Sequence, residues 1–393
     1  MYINSILIEA WLSQAAYADE LSSGDTGKVL SAKLVEQGMS PAQADYFSND
    51  FEVVEQQATT ESGFSATLFR NLSDNSLHLA MRGTDSFLPD WTGANLQNGA
   101  YGMALNQVVD MLNFYLKITG SGDIPQYEFK QVLEKDLKEG QKSYFNSADN
   151  SPYHIVFEKK GTINREGIGG VDENSKMSIS GHSLGGHLAS VFSLLLPQAV
   201  DYTATFNSAG FVGSLFDVFA DLIVSKVNSD GYITLNSVDT INTVLDIRAP
   251  EDAVSLLGNH ISGSPIDVEI EKVGAGEGPI DYITGNHSMD RLVDSLAVAS
   301  TMNTLDETFD IVMYNQIFKA SSNDANITLE ALTSNLATLF GTANIDVVDS
   351  NHNDVYKAIT SLTDFVSHNN YRFMAVDSNI VNQALSGDKA ALY

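Results

Sequence analysis

Met177-Ser178-Ile179-Ser180-Gly181-His182-Ser183-Leu184-Gly185-Gly186-His187-Leu188-Ala189 decides how this chain is read. It opens on a short apolar run suited to a buried strand. It then presents Gly-x-Ser-x-Gly, with Gly181, Ser183 and Gly185 in the named places. Leu188, Ala189, Val191, Phe192, Leu194, Leu195 and Leu196 continue as a helical stretch that Pro197 closes. Strand, glycine-flanked serine, helix is the setting of a nucleophile elbow, in which a sharp turn holds the serine in strained backbone geometry. Glycines on either side let strand and helix approach without Cβ clashes. A serine in a glycine-rich turn is by itself ordinary; the two flanks are what point to chemistry.

A serine hydroxyl needs a histidine base within hydrogen-bond reach and a carboxylate that fixes the imidazole tautomer. Around such an elbow the partners come in the order Ser, Asp, His, in loops just past strand C-termini. Thr243 to Ile247 reads as a strand and runs into Arg248-Ala249-Pro250-Glu251-Asp252, so Asp252 is the preferred acid. Asp246 is its rival but lies inside the strand, and Asp239 precedes it. Of the eight histidines, His78, His154, His182 and His187 precede or flank the serine, and His352 and His368 lie in the distal tail. His260 and His287 remain. His287 is preferred because it comes after a glycine-rich loop (Gly274, Gly276, Gly278) and opens a helix, whereas His260 stands close behind Asp252. An oxyanion would need two preorganised donors. The N–H of Leu184 is one, and Gly83-Thr84, after the strand-like Ser76–Met81, offers the other.

Away from the elbow, residues 5–18 have helical spacing, and Ser40-Pro41 reads as an N-cap followed by proline at the first helical position. Phe51-Glu52-Val53-Val54 is a short strand. Phe64–Arg70 and Ser76–Met81 predict a hairpin across the polar turn 71–75. Met103–Lys117 is an amphipathic helix. Residues 119–170, with mixed charge and glycine pairs, read as an insertion before the nucleophile strand. Residues 211–227 separate an apolar face (Val212, Leu215, Phe216, Phe219, Leu222, Ile223) from a polar one. A core-facing helix and a lid over Ser183 both fit that pattern, and the candidate lid extends over 211–235. Residues 301–393 continue mostly helical.

The charge of −29, from 50 acidic and 21 basic side chains, opposes binding to nucleic acid or anionic headgroups. The apolar fraction of 43% suffices for a sizeable core, and the absence of cysteine excludes disulfides and thiolate metal sites. His182 and His187 do not have zinc-pair spacing, and Asp349-x-Asn351-x-Asn353 lacks the glycine and glutamate of a calcium loop. No cofactor is expected for catalysis, with a structural Ca²⁺ left open in the acidic loops. Met1–Ile6 lacks the basic region of a cleaved signal, and no stretch is long enough to span a membrane. A monomer is expected, either secreted without a cleaved N-terminal signal or cytoplasmic.

Leu79-Ala80-Met81-Arg82-Gly83-Thr84-Asp85 with Asp90-Trp91, and Gly181 to Ala189, together resemble the class 3 (fungal-type) lipases and the lipase domains of bacterial RTX exoproteins. Asp252-Ala253-Val254 and Asn286-His287-Ser288-Met289 match more loosely, and the resemblance covers about residues 10–300. It implies an α/β-hydrolase fold, with a mostly parallel central sheet, flanking helices, lid or cap insertions and a helical C-terminal extension. It implies a catalytic domain over 1–300, an extension over 301–393, and hydrolysis of lipid esters at a lipid–water interface. Ser183, Asp252 and His287 would be the triad, with Thr84 and Leu184 as oxyanion donors. The stretch from Ile317 to Asn323 onward is similar to the segment C-terminal to the hydrolase domain in the RTX group, but this sequence has no glycine- and aspartate-rich nonapeptides. A phospholipase A1, a short-chain esterase and a silent hydrolase-like attachment module are the alternatives.

Overall fold

The structure is a computed structural model, and it describes residues 3–83, 96–145, 152–210, 215–236, 244–255, 260, 265–271, 285–321, 328–340 and 352–369. Three helices lead the chain: α1 (Ile3–Ala15), α2 (Gly27–Glu36) and α3 (Pro41–Asp50). As expected, Ser40 caps α3 by accepting from the Gln43 N–H at 3.2 Å, with Pro41 at the first helical position. β1 (Phe51–Gln57), β2 (Ala66–Asn71) and β3 (Leu77–Met81) then form an antiparallel meander. The β2–β3 turn is set by side chains: Asn71 Oδ1 accepts from the Ser73 N–H and Asp74 Oδ1 from the Ser76 N–H, both at 2.8 Å.

β7 (Met177–His182), β8 (Val200–Phe206), β9 (Val244–Arg248) and β10 (Ile266–Asp267) continue the sheet in the order β1-β2-β3-β7-β8-β9-β10, and every pair from β3 onward is parallel. Met81, Gly181, Thr205 and Asp246 lie side by side in register. The loops after β3, β7, β8 and β9 therefore leave from one edge of the sheet, where open parallel sheets hold their ligands. β7 is buried at every residue, as a strand with both faces covered must be.

Each sheet face carries one apolar cluster, and the alternation of side chains along a strand assigns residues to them. Leu77, Leu79 and Met81 enter the cluster shared with α4 (Leu96–Thr119), α5 (Leu184–Leu195) and α6 (Leu215–Asp230), while Ala80 points to the other. That other cluster takes α1 to α3 and the C-terminal helices α7 (Met289–Leu305), α8 (Ile311–Ser321), α9 (Thr328–Phe340) and α10 (His352–Asn369). α7 lies against α1 and runs through residue 300, the expected domain boundary; α10 lies against α7 and α3. The helical extension thus shares its core with the first fifty residues.

The 119–170 insertion forms a separate antiparallel sheet of β4 (Gly122–Leu133), β5 (Tyr144–Phe145) and β6 (Tyr153–Arg165), in the order β4-β6-β5. This small sheet covers the apolar side of α6: Phe219 packs edge-on to Phe129 at 5.5 Å between ring centroids and lies 5.2 Å from Tyr144. Leu222, Ile223 and Val227 belong to the same cluster. Residues 211–214 and 237–243, and the side chains of Leu215 and Phe216, lie outside the described residues. No described helix is long and apolar enough to cross a membrane.

Candidate active site

Three glycines build the turn between β7 and α5. A Cβ on Gly181 would stand 2.2 Å from the Gly185 carbonyl oxygen, and one on Gly185 would stand 2.1 Å from that of Met81. One on Gly186 would meet Ser208 Cβ at 2.7 Å. Strand, helix and the end of β3 touch through backbone, and Ser208 beyond β8 presses on Gly186, so these positions admit no side chain. Between them Ser183 takes φ 58° and ψ −125°, a conformation that costs a non-glycine residue of order 1–3 kcal/mol. Its N–H donates to the Phe206 carbonyl at 3.0 Å, and its own carbonyl accepts from Gly186 at 3.1 Å and His187 at 3.3 Å. Leu184 is the first residue of α5, so its N–H belongs to the helix-terminal donors that have no intrahelical acceptor and favour negative charge. Gly83, just past β3, presses on this turn: a Cβ there would lie 3.0 Å from Ser183 Cβ. Thr84 and the Asp90-Trp91 pair lie outside the described residues.

Asp252 sits beyond β9 in a turn closed by its N–H to the Ala249 carbonyl at 3.3 Å, with Glu251 before it at φ 66°. Only 1% of Asp252 is exposed. Its Oδ2 accepts from the Ser255 N–H at 2.8 Å and its Oδ1 lies 2.9 Å from His287 Nδ1. A carboxylate at Nδ1 makes that nitrogen the donor and leaves Nε2 with the lone pair, the tautomer a general base needs. His287 is placed by the Gly285–Ser288 turn that leads into α7.

The His287 carbonyl is held by two donors, His182 Nε2 at 2.8 Å and Asn207 Nδ2 at 3.3 Å. Since Nε2 of His182 donates, its Nδ1 accepts, here from the Tyr17 hydroxyl at 2.7 Å. The His182 and His287 rings lie 4.6 Å apart at 33°. Burial, reinforced by the neighbouring His287 charge, pushes His182 down to about 3, so it stays neutral. The Asn207 amide also accepts the Ala249 N–H at 2.8 Å through Oδ1. One buried side chain therefore ties the loop of Asp252 to that of His287.

The structure thus places Ser183, Leu184, Asp252 and His287 at one edge of the sheet and pairs the last two. The rivals Asp246 and His260 instead pair with each other, Asp246 Oδ2 lying 3.0 Å from His260 Nδ1. Sequence reasoning passed over Tyr17, the side chain of His182 and Asn207 as parts of the site. His182 stands in the motif and could have been marked; nothing local distinguishes Asn207 or Tyr17. Among the described residues no group of three or more His, Asp or Glu is arranged to hold a metal ion, and Asp349, Asn351 and Asn353 lie outside them.

No family model and no curated protein sequence matches this chain. Among solved structures it is similar to the Lip2 lipase of Yarrowia lipolytica, with 14% identity, 72% of this chain and 91% of that one covered, and a TM-score of 0.35. It is also similar to a lipase of Rhizopus microsporus var. chinensis (14%, 64% and 68%, 0.32). A third is the propeptide complex of the Rhizomucor miehei lipase (14%, 65% and 63%, 0.31).

Proposed function

We propose that this protein is a serine hydrolase of the α/β-hydrolase type that cleaves lipid esters through an acyl-enzyme. The observation that carries the reading is the buried Asp252–His287 pair, engaged through Nδ1 at 2.9 Å, beside the strained turn that holds Ser183. In this reaction Ser183 Oγ attacks the ester carbonyl carbon while His287 Nε2 takes its proton. Asp252 keeps the imidazole in the working tautomer and stabilises the imidazolium as it forms. The Leu184 N–H, at the positive end of α5, and Thr84, next to Gly83, donate to the developing oxyanion. His287 then protonates the departing alkoxide, and a water activated by the same nitrogen releases the acid. The chemistry needs no cofactor. The lipid part of the reading rests on the resemblance carried by residues 79–91 and 181–189.

A fluorophosphonate probe followed by nitrophenyl esters of increasing chain length, then triglyceride and phospholipid, tests it. Labelling and turnover that vanish in Ser183→Ala are expected, with the preferred chain length separating lipase from short-chain esterase and the phospholipid arm reading phospholipase A1. An unlabelled wild-type protein would establish a silent module.

A further inference from the structure

Asp246 and His260 remain unused by that mechanism, yet they are built into the loop that carries its acid. Asp246, 2% exposed on β9, accepts from Thr205 Oγ1 at 3.2 Å through Oδ1 and faces His260 Nδ1 at 3.0 Å through Oδ2. His260 Nε2 lies 2.8 Å from the carbonyl oxygen of Ser255. Ser255 in turn donates its N–H to Asp252 Oδ2 at 2.8 Å and its hydroxyl to the Asp252 carbonyl at 3.1 Å. The chain of contacts runs from β9 through the His260 ring to the carboxylate that orients His287.

Both partners of the His260 ring are acceptors. A carboxylate and a peptide carbonyl have no proton to give, and a neutral imidazole has one N–H and one lone pair. A neutral ring donating through Nε2 to Ser255 would leave the Nδ1 lone pair 3.0 Å from the Asp246 carboxylate, whereas the imidazolium keeps that donor and makes the second contact an ion pair. We infer that His260 is a positioning residue: as the imidazolium it straps the Asp252–Ser255 turn to Asp246 of β9, and losing its proton loosens the acid of the site. The inference rests on the proposed role of Asp252 and His287.

The titratable and charged groups that face His260 from the described elements are Asp246 and Arg248 on β9 and His187 on α5. The hydrogen bond to Asp246 raises His260 above the ordinary histidine value, against burial and against Arg248. Arg248 is itself paired with Asp267 at 2.8 Å. Burial pushes His187 down to about 4, so it carries no charge near neutrality. Because the folded value is raised, the strap is whole below the ordinary histidine value of about 6.5. It is lost as pH climbs through the raised value.

Two measurements on the full chain test this. Histidine ring resonances followed by NMR should show one signal, absent in His260→Gln, that titrates above the ordinary value of about 6.5 and falls toward it in Asp246→Asn. On a soluble short-chain nitrophenyl ester, wild-type kcat should decline as pH climbs through the raised His260 value that the NMR titration reads. His260→Gln should start about tenfold lower, with KM unchanged and that decline absent, and Asp246→Asn should move the decline to lower pH. If His260→Gln does not fold, Asp246→Asn carries the kinetic arm alone. A His260 signal at or below the ordinary value, or variants with wild-type kcat and pH profile, would overturn the strap. Undiminished hydrolysis by Ser183→Ala would instead overturn the proposed reaction, and the titration would still report on His260.

Discussion

The two ends of the central sheet each gather a serine, a histidine and a carboxylate, and the two sets are arranged differently. At the N-terminal ends of the parallel strands, Glu9 of α1 meets His78 of β3, Ser178 of β7 and Tyr202 of β8. Its Oε1 accepts from His78 Nδ1 at 3.0 Å, Ser178 Oγ at 2.8 Å and Tyr202 OH at 2.6 Å. Ser178 Oγ also lies 2.5 Å from that same ring nitrogen, and His78 Nε2 is engaged by Ser76. Every group there converges on one oxygen, and the serine lies within a fully buried strand. At the opposite end the carboxylate takes Nδ1 of His287, and Ser183 projects from a strained turn past the strand. The same residue types make a structural peg in one place and the proposed reactive constellation in the other, and geometry alone separates them.

Mutation should separate the two ends in the same way. Ser183→Ala and His287→Ala should each lower kcat by about 10⁴-fold or more in a protein that still unfolds cooperatively, measured on a nitrophenyl ester beside a thermal melt. A residual rate above a few per cent would break the contrast. Asp252→Asn should cost less, about 10³-fold, because the imidazole keeps its place but loses its fixed tautomer. The Glu9 end should respond in stability. Burial works to raise the Glu9 carboxyl, but the hydrogen bond and charge of His78 and the hydroxyls of Tyr202 and Ser178 outweigh it and hold it below the usual value. A lowered folded value stabilises the protein above the unfolded value of about 4.3 and is lost as pH falls through the folded one. Glu9→Gln should therefore cost roughly 3 kcal/mol at neutral pH by urea unfolding and flatten the acid side of the stability profile. Ser178→Ala, the smallest change, should cost about 1 kcal/mol and keep kcat within about twofold. Loss of activity there in a folded protein would mean that the two ends are coupled.

Local signals made much of this molecule legible. The cap and proline of α3, the Asx turn between β2 and β3, and the apolar run of β7 act within a few residues, and each stands where the sequence puts it. The amphipathic pattern of 211–227 announced a helix with one apolar face but left open what covers it; Phe129 and Tyr144, far earlier in the chain, pack on its Phe219. The helical tail read as either an extension packed on the core or a small second unit, because periodicity reports a buried face without naming its partner; it packs on α7 and α3 and shares their cluster.

By itself the sequence determined the turn around Ser183, since three glycines and a strand–helix change of period leave a backbone little else to do, and it ordered an acid and a base after it. Which histidine meets which carboxylate was a matter of tertiary structure. Asp246 and Asp252 stand six residues apart, yet one lies inside β9 and faces His260, while the other lies past its end and faces His287. The clamp of Asn207 on both loops, and of Tyr17 on His182, joins residues whose separation along the chain carries no periodic or local signal. Hydrogen-bonding partners that distant are chosen by how the sheet aligns its strand ends, and only the packed fold does that.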